Sequence, residues 1–267
     1  MTDDERAPTW RDSLGLYDAY SGSYDAAFAG KSHRSAYDAL SGEYIARLLP
    51  PAPAAIVDAG CGSGRWAEVW LRLGHRVIGI EPSNGMRAAI AQRQLGPNFT
   101  LHETRMEAAP IAPGSADLVV AMGSPQYLPR PNEMLRQFAS WVKPGGAVCV
   151  HTDSLMGLVL ELVRKDKRDE ALARLETRRG VFSFGGEQAE LWLYDSTTLR
   201  SDFVAAGLVN IDCRGLMISG SAWGRESCAK AVNEDEASIL TLERRLAAFP
   251  VMADAGLHLI ASGRRPR

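Results

Sequence analysis

The sequence predicts an α/β fold in which helices cover both faces of a mostly parallel, doubly wound sheet. Three observations carry that prediction. From Ala54 onward, short apolar runs alternate with helical stretches, a pattern that calls for right-handed crossovers between parallel strands. The first run, residues 55–58, ends at Asp58 and meets a turn with Gly60, Gly62 and Gly64 at every second position. A second run, residues 76–80, ends at Glu81, so acidic side chains close two successive strands.

Composition limits the alternatives. A chain of 267 residues, 46% hydrophobic and with a net charge of −2, can bury one large core with small appended elements. No apolar run reaches the roughly 20 residues needed to span a bilayer, because residues 155–163 are interrupted by Glu161. The acidic start, Met1-Thr2-Asp3-Asp4-Glu5, lacks the charge and apolar centre of a signal peptide, which points to the cytoplasm. Cys61, Cys149, Cys213 and Cys228 are too widely spaced for a zinc site or a disulfide framework and read as reduced thiols. Near-neutral charge argues against duplex nucleic acid as a partner, and Arg264-Arg265-Pro266-Arg267 reads as a solvated tail.

The glycine turn narrows the ligand. Glycine tolerates positive φ and lets backbone approach a bound group, while the next helix offers unpaired amides in its first turn. Dinucleotide-binding folds set their third glycine three positions after the second, whereas here the step is two, and no Gly-Lys-Ser/Thr phosphate cradle follows. Asp58 would repel a pyrophosphate and attract an ammonium group. At residues 58–64 the sequence resembles the class I S-adenosylmethionine-dependent methyltransferases, whose first motif has this acidic-x-Gly-x-Gly-x-Gly form. Glu81 strengthens the likeness, since a carboxylate at the tip of a second strand suits both ribose hydroxyls. Trp141-Val142-Lys143-Pro144-Gly145-Gly146 is similar to the family's turn before its fifth strand.

That resemblance implies a Rossmann-like, seven-stranded sheet with helical lid and cap insertions, S-adenosylmethionine as cofactor and S-adenosylhomocysteine as product. The expected division is an N-terminal helical lid over residues 1–53, a cofactor-binding core over 54–153, a cap insertion over 154–195, and completion of the core over 196–267.

Before the first strand, Tyr17, Tyr20, Tyr24 and Phe28 recur at helical spacing, an aromatic stripe weakened by Gly22. Packing against the domain explains such a stripe; the repeats Tyr17-Asp18 and Tyr24-Asp25 also resemble the segment that covers the cofactor in small-molecule methyltransferases. Tyr17 or Tyr24 would then border the transferable methyl group. Lys31, His33 and Arg34 read as a polar loop, and Pro50-Pro51-Ala52-Pro53 ends the region.

A helix over residues 64–73 follows the glycine turn. After Glu81 and Pro82, Ser83 or Asn84 caps a second helix that carries Met86 and Ile90. Residues 99–102 read as strand three. The next loop, Thr104 to Pro110, would hold the adenine by the family pattern; Arg105 replaces an acidic side chain there, leaving the Met106 amide, Glu107, and Arg105 itself as a stacking or a solvent-facing group.

Residues 116–122 form strand four, ending at Met122 and running into Gly123-Ser124-Pro125-Gln126-Tyr127. Ligands bind beyond the carboxyl ends of parallel strands, so this loop joins the same crevice. It is not the Asn/Asp-Pro-Pro-aromatic motif of exocyclic-amine methyltransferases. Gln126 and Tyr127 are contacts for substrate or cofactor, or turn packing. Strand five, residues 147–153, delivers His151, which can take a proton near neutral pH or merely bond backbone. Asp153 orients it, binds substrate, or caps the next helix.

Residues 154–179 look helical, and 182–186 with 190–194 form a hairpin. Trp192 and Tyr194 alternate with Leu191 and Leu193, so one pair at most faces a ligand. A helix over 196–206 and a strand over 207–213 follow. Residues 215–231 give no clear pattern, although Met217, Trp223 and Arg225 are candidates for a substrate cavity. Residues 234–249 form an amphipathic helix, a lid or a homodimer surface, and 256–263 the last strand, antiparallel by resemblance.

The expected reaction is methyl transfer to oxygen or nitrogen of a small organic molecule, with His151 and Tyr17 as candidate catalytic residues. An RNA-modifying enzyme of the same fold and a cofactor-binding protein without turnover are the rivals. No metal is expected.

Overall fold

The structure is a computed structural model that describes residues 10–29 and 32–267; the acidic start and Lys31 lie outside the described residues, as does the ring of Phe28. Five strands follow the predicted alternation: β1 (Ala55–Ala59), β2 (Arg76–Ile80), β3 (Phe99–His102), β4 (Ala116–Met122) and β5 (Val142–Asp153). A hairpin, β6 (Arg179–Phe184) and β7 (Glu187–Trp192), stands apart, and β8 (Val209–Leu216) and β9 (His258–Arg264) return to the main sheet. The sheet order is β3-β2-β1-β4-β5-β9-β8, parallel except for β9, which runs antiparallel to both neighbours.

Both faces are covered, so the central strands are apolar without alternation. Val57, Val119 and Val148 pack on Phe138 of α5 (Pro131–Trp141) and Phe203 of α8 (Ser196–Ala205). Ile56, Leu118 and Val120 face Trp70 of α3 (Arg65–Arg72), Tyr44 of α2 (Ser32–Ala46) and Ile239 of α10 (Arg225–Ala247). Trp70 and Phe138 are among the largest fully buried side chains. The four cysteines are free and buried.

Side chains fix the helix starts. Ser83 Oγ accepts from the Met86 amide at the head of α4 (Asn84–Arg93), and Ser154 Oγ from that of Gly157 at the head of α6 (Leu155–Arg164). Ser154, not Asp153, is therefore the cap, which leaves the Asp153 carboxylate to other partners.

Three local expectations change. His33 and Arg34 belong to α2, because tertiary packing on α10 supports a helix that their polarity hid. Residues 154–179 break into α6 and α7 (Arg168–Thr177), with Asp166 at φ 56 in the turn between them. The unassigned stretch after β8 forms α9 (Ile218–Trp223) and the start of α10. Glu243, fully buried, accepts from the amides of Ile218 and Ser219 and from Ser219 Oγ, and so ties α9 to α10.

α1 (Leu14–Ala29) lies across the carboxyl ends of the strands. Asp18 Oδ1 accepts from Ser83 Oγ at 2.6 Å and from the Gly85 amide at 3.1 Å, and Asp25 accepts from Ser63 Oγ and pairs with Arg93. The two Tyr-Asp repeats thus put tyrosines on one helical face and aspartates, the next residue along, on the core. Among the described residues, no helix is long and apolar enough to cross a membrane.

Candidate active site

Two cavities open at the carboxyl edge of the sheet. The first, about 700 Å³ including space open to solvent, is walled by Gly60, Gly62, Glu81, Pro82 and Ser83 on one side and Met106, Met122 and Gly123 on the other. Arg105 and Glu107 line its outer end, and Tyr17, Tyr24 and Tyr127 cover it.

Gly60, at φ 76, is required by space as well as by conformation: a Cβ there would lie 2.4 Å from Cβ of Ser124. Ser124 Oγ is itself fixed, donating to the Ala59 carbonyl at 2.6 Å. Gly62, at φ 56, has open space in place of a side chain, and its amide donates to Glu81 Oε2 at 2.9 Å. Glu81 Oε1 accepts from the Ser83 amide at 2.8 Å. Burial raises the Glu81 carboxyl from its ordinary value, and these two amides oppose the rise.

Asp58 is 2% exposed, and its Oδ2 has no hydrogen-bond partner. Burial, and then the neighbouring Glu81, push its carboxyl up to about 8. It sits at the floor of a smaller pocket shared with Gly60, Gly62, Tyr24, Tyr37 and Arg65.

Two residues read as cofactor contacts lie elsewhere. Gly64 is the N-cap of α3 at φ 80, where a Cβ would face Leu95 and Ile90; its role is helix packing. Met86 is 1% exposed in the core beneath α4 and lines neither cavity, because the helix turns that face inward. Arg105 pairs with Asp12 at 2.8 Å at the rim of the cleft.

The second cavity, about 1260 Å³ on the same measure, adjoins the first and shares Tyr17, Tyr24, Met122, Gly123 and Tyr127 with it. Gln126, His151 and Asp153 line it, as do Arg34, Tyr37, Arg225 and His258. His151 Nε2 lies 2.7 Å from the Tyr37 hydroxyl, and the His151 and His258 rings are 4.9 Å apart. Gln126 Nε2 donates to Asp153 Oδ2 at 3.1 Å, and His258 Nδ1 is 3.4 Å from Asp153 Oδ1. Burial raises the Asp153 carboxyl, but His258, His151 and the Gln126 bond together hold it down to about 2. Burial, and secondly His258, hold the His151 imidazole well below its ordinary value, so it is neutral. Tyr17 packs edge-on against Tyr127 with ring centroids 5.6 Å apart, and burial raises its hydroxyl pKa.

Trp192, Tyr194 and Trp223 do not line this cavity. The hairpin presents Leu191 to it, with Leu193 just beyond, while Trp192 stacks on Trp10 at 5.5 Å and donates to the Pro129 carbonyl. Tyr194 belongs to the core under α8, and Trp223 is 45% exposed. Alternation along β7 allowed either pair; burial of the smaller leucines inward decided it. Met217 is likewise core. Sequence reasoning missed Tyr37 and His258. The antiparallel placement of β9 beside β5 held a signal for His258, since it sets His258 opposite Asp153. Nothing local marked Tyr37.

This sheet order and the acidic and glycine-rich strand ends are similar to those of the class I S-adenosylmethionine-dependent methyltransferases, and the central part of the chain matches a methyltransferase domain. Residues 56–146 match the family model described as a methyltransferase domain. Among curated relatives, the ubiquinone biosynthesis O-methyltransferase of Albidiferax ferrireducens is 39% identical over 114 residues, 41% of this chain and 45% of that protein. The chain thus matches less than half the length of that relative. An S-adenosylmethionine-dependent methyltransferase from Mesorhizobium loti superposes with a TM-score of 0.56 at 17% identity, covering 89% of this chain and 100% of that one. The (4+2)-cyclase SpnF superposes with a TM-score of 0.63 at 17% identity, covering 97% and 98%.

The residues present fit the family's cofactor, S-adenosylmethionine. The unpartnered Asp58 oxygen suits its ammonium, Glu81 at the tip of β2 suits its ribose, and the Met106 wall with Glu107 suits its adenine.

Proposed function

We propose that the protein transfers a methyl group from S-adenosylmethionine to an oxygen or nitrogen nucleophile of a small organic molecule. One observation carries this reading: two cavities meet at Met122, Gly123 and three tyrosines, with a neutral histidine behind the second. When bound, the cofactor supplies a methyl group on a sulfonium, with a neutral thioether as leaving group.

The chain's own work is alignment and exclusion of water. Asp58 and the Gly60–Gly62 backbone hold the amino-acid end, and Glu81 the ribose. Tyr17, Tyr24 and Tyr127 close the junction, Tyr17 bordering the transferred methyl. Gln126 and Asp153 contact the acceptor, and His151 stores the proton of an acceptor that arrives protonated. The enclosure of the second cavity by α1 and the hairpin favours a compact acceptor over RNA, and the relative's name supports oxygen. The cyclase of similar fold is a reminder that a fold does not fix chemistry.

Incubation with methyl-labelled cofactor and either a metabolite extract or total RNA tests the proposal. Label should enter a small molecule with release of S-adenosylhomocysteine. Label in RNA alone, or cofactor binding with no transfer, would reject it.

A further inference from the structure

His151 lines the second cavity, but neither of its ring nitrogens is open to an acceptor there. Its Nδ1 is sealed from solvent with no partner and backs onto Gly123, where an added Cβ would come within 3.5 Å. Its Nε2 is occupied by the Tyr37 hydroxyl at 2.7 Å. Tyr37, by contrast, lines both the acceptor cavity and the pocket formed by Asp58, Gly60, Gly62 and Met122. The two groups share one hydrogen bond, and its direction is set by which ring nitrogen of His151 carries the proton. With the imidazole proton on Nδ1, Tyr37 donates to Nε2, and the lone pairs of its oxygen are left to accept from an acceptor molecule.

We propose that Tyr37 is the catalytic residue that touches the methyl acceptor and passes its proton to His151, an assignment that rests on the methyl-transfer reading above. The acceptor's O–H or N–H bond breaks and its proton goes to Tyr37 Oη as the phenolic proton moves to His151 Nε2. The electron pair left on the acceptor forms the new bond to the methyl carbon, and the pair of the old carbon–sulfur bond stays on sulfur. His151 gains one positive charge as one is lost from the adjoining cleft, so the charge of the site is unchanged. The groups that face His151 are Tyr37 and Arg34 from α2, His258 from β9 and Asp153 from its own strand. Asp153, ionised and held by Gln126 and His258, is the anion that receives the new charge; Arg34 and His258 oppose it.

Long-range proton–nitrogen spectra of the full chain, labelled at histidine nitrogen, test the bond without any acceptor. His151 should show Nδ1 protonated and Nε2 accepting, with the Nε2 signal shifting in Tyr37→Phe. A protonated Nε2 in the native chain would overturn the proposal, since the phenolic proton then has nowhere to go. Turnover is read with protocatechuate, a catechol probe, alongside calorimetry with S-adenosylmethionine. Tyr37→Phe should lower kcat about 100-fold with unchanged cofactor affinity, and Tyr37→Phe/His151→Ala should be no slower than His151→Ala. Full kcat and an unaltered pH profile in Tyr37→Phe would also overturn it. Failure of the native chain to bind the cofactor would instead reject the methyl-transfer reading, leaving the spectra to decide the Tyr37–His151 bond.

Discussion

Asp58 and Glu81 end adjacent parallel strands, yet only Glu81 has its carboxylate satisfied: the amides of Gly62 and Ser83 hold both its oxygens, while Asp58 Oδ2 has no partner. A buried carboxylate with an unpartnered oxygen costs stability, and a positively charged ligand would relieve that cost.

The cost has a pH signature. The folded-state value of Asp58, about 8, lies above the unfolded one of about 3.9. Its contribution is therefore full at pH below the unfolded value and is lost as pH rises through the folded one. Asp58→Asn should raise Tm relative to the native chain by more at pH 9 than at pH 5, in scanning calorimetry without cofactor. The same variant should bind S-adenosylmethionine more weakly, and native affinity should strengthen as pH rises from 6 to about 8, where the ligand's own α-ammonium begins to deprotonate, in titration calorimetry.

Gly60 and Gly62 should respond differently to alanine. Both hold positive φ, which costs an ordinary residue about 1–2 kcal/mol. Only at Gly60 does the new methyl strike Ser124, whose hydroxyl is pinned to Ala59. Gly60→Ala should therefore lose markedly more in Tm than Gly62→Ala, at roughly 2–4 °C per kcal/mol.

The hairpin prediction separates the two pairs along β7. Trp192→Ala should lower Tm, because Trp10 and Arg179 lose their stacking partner, yet leave KM for the acceptor found in the labelled-methyl screen unchanged. Leu191→Trp should raise that KM severalfold by filling the cavity. Equal effects from both would return Trp192 to the site.

Glu243 gives a control far from the chemistry. Glu243→Ala strands two buried amides and a hydroxyl, each at about 1–3 kcal/mol, and should unfold at clearly lower temperature. Affinity for S-adenosylmethionine should stay as it was at temperatures where the variant is folded, since Glu243 lines neither cavity.

By itself the sequence determined the parallel core, the strand ends at Asp58 and Glu81, the glycine turn between them and the position of His151, because these are local: an apolar run and the turn chemistry at its end lie within a few residues of chain. Tertiary structure alone decided which hairpin face looks inward, that Met86 and Gly64 serve packing, and that Tyr37 and His258 meet His151. Tyr37 is 114 positions from its hydrogen-bond partner, and strand alternation offers two faces without saying which is buried. Only the closing of α2, β5 and β9 on one another brings those side chains together.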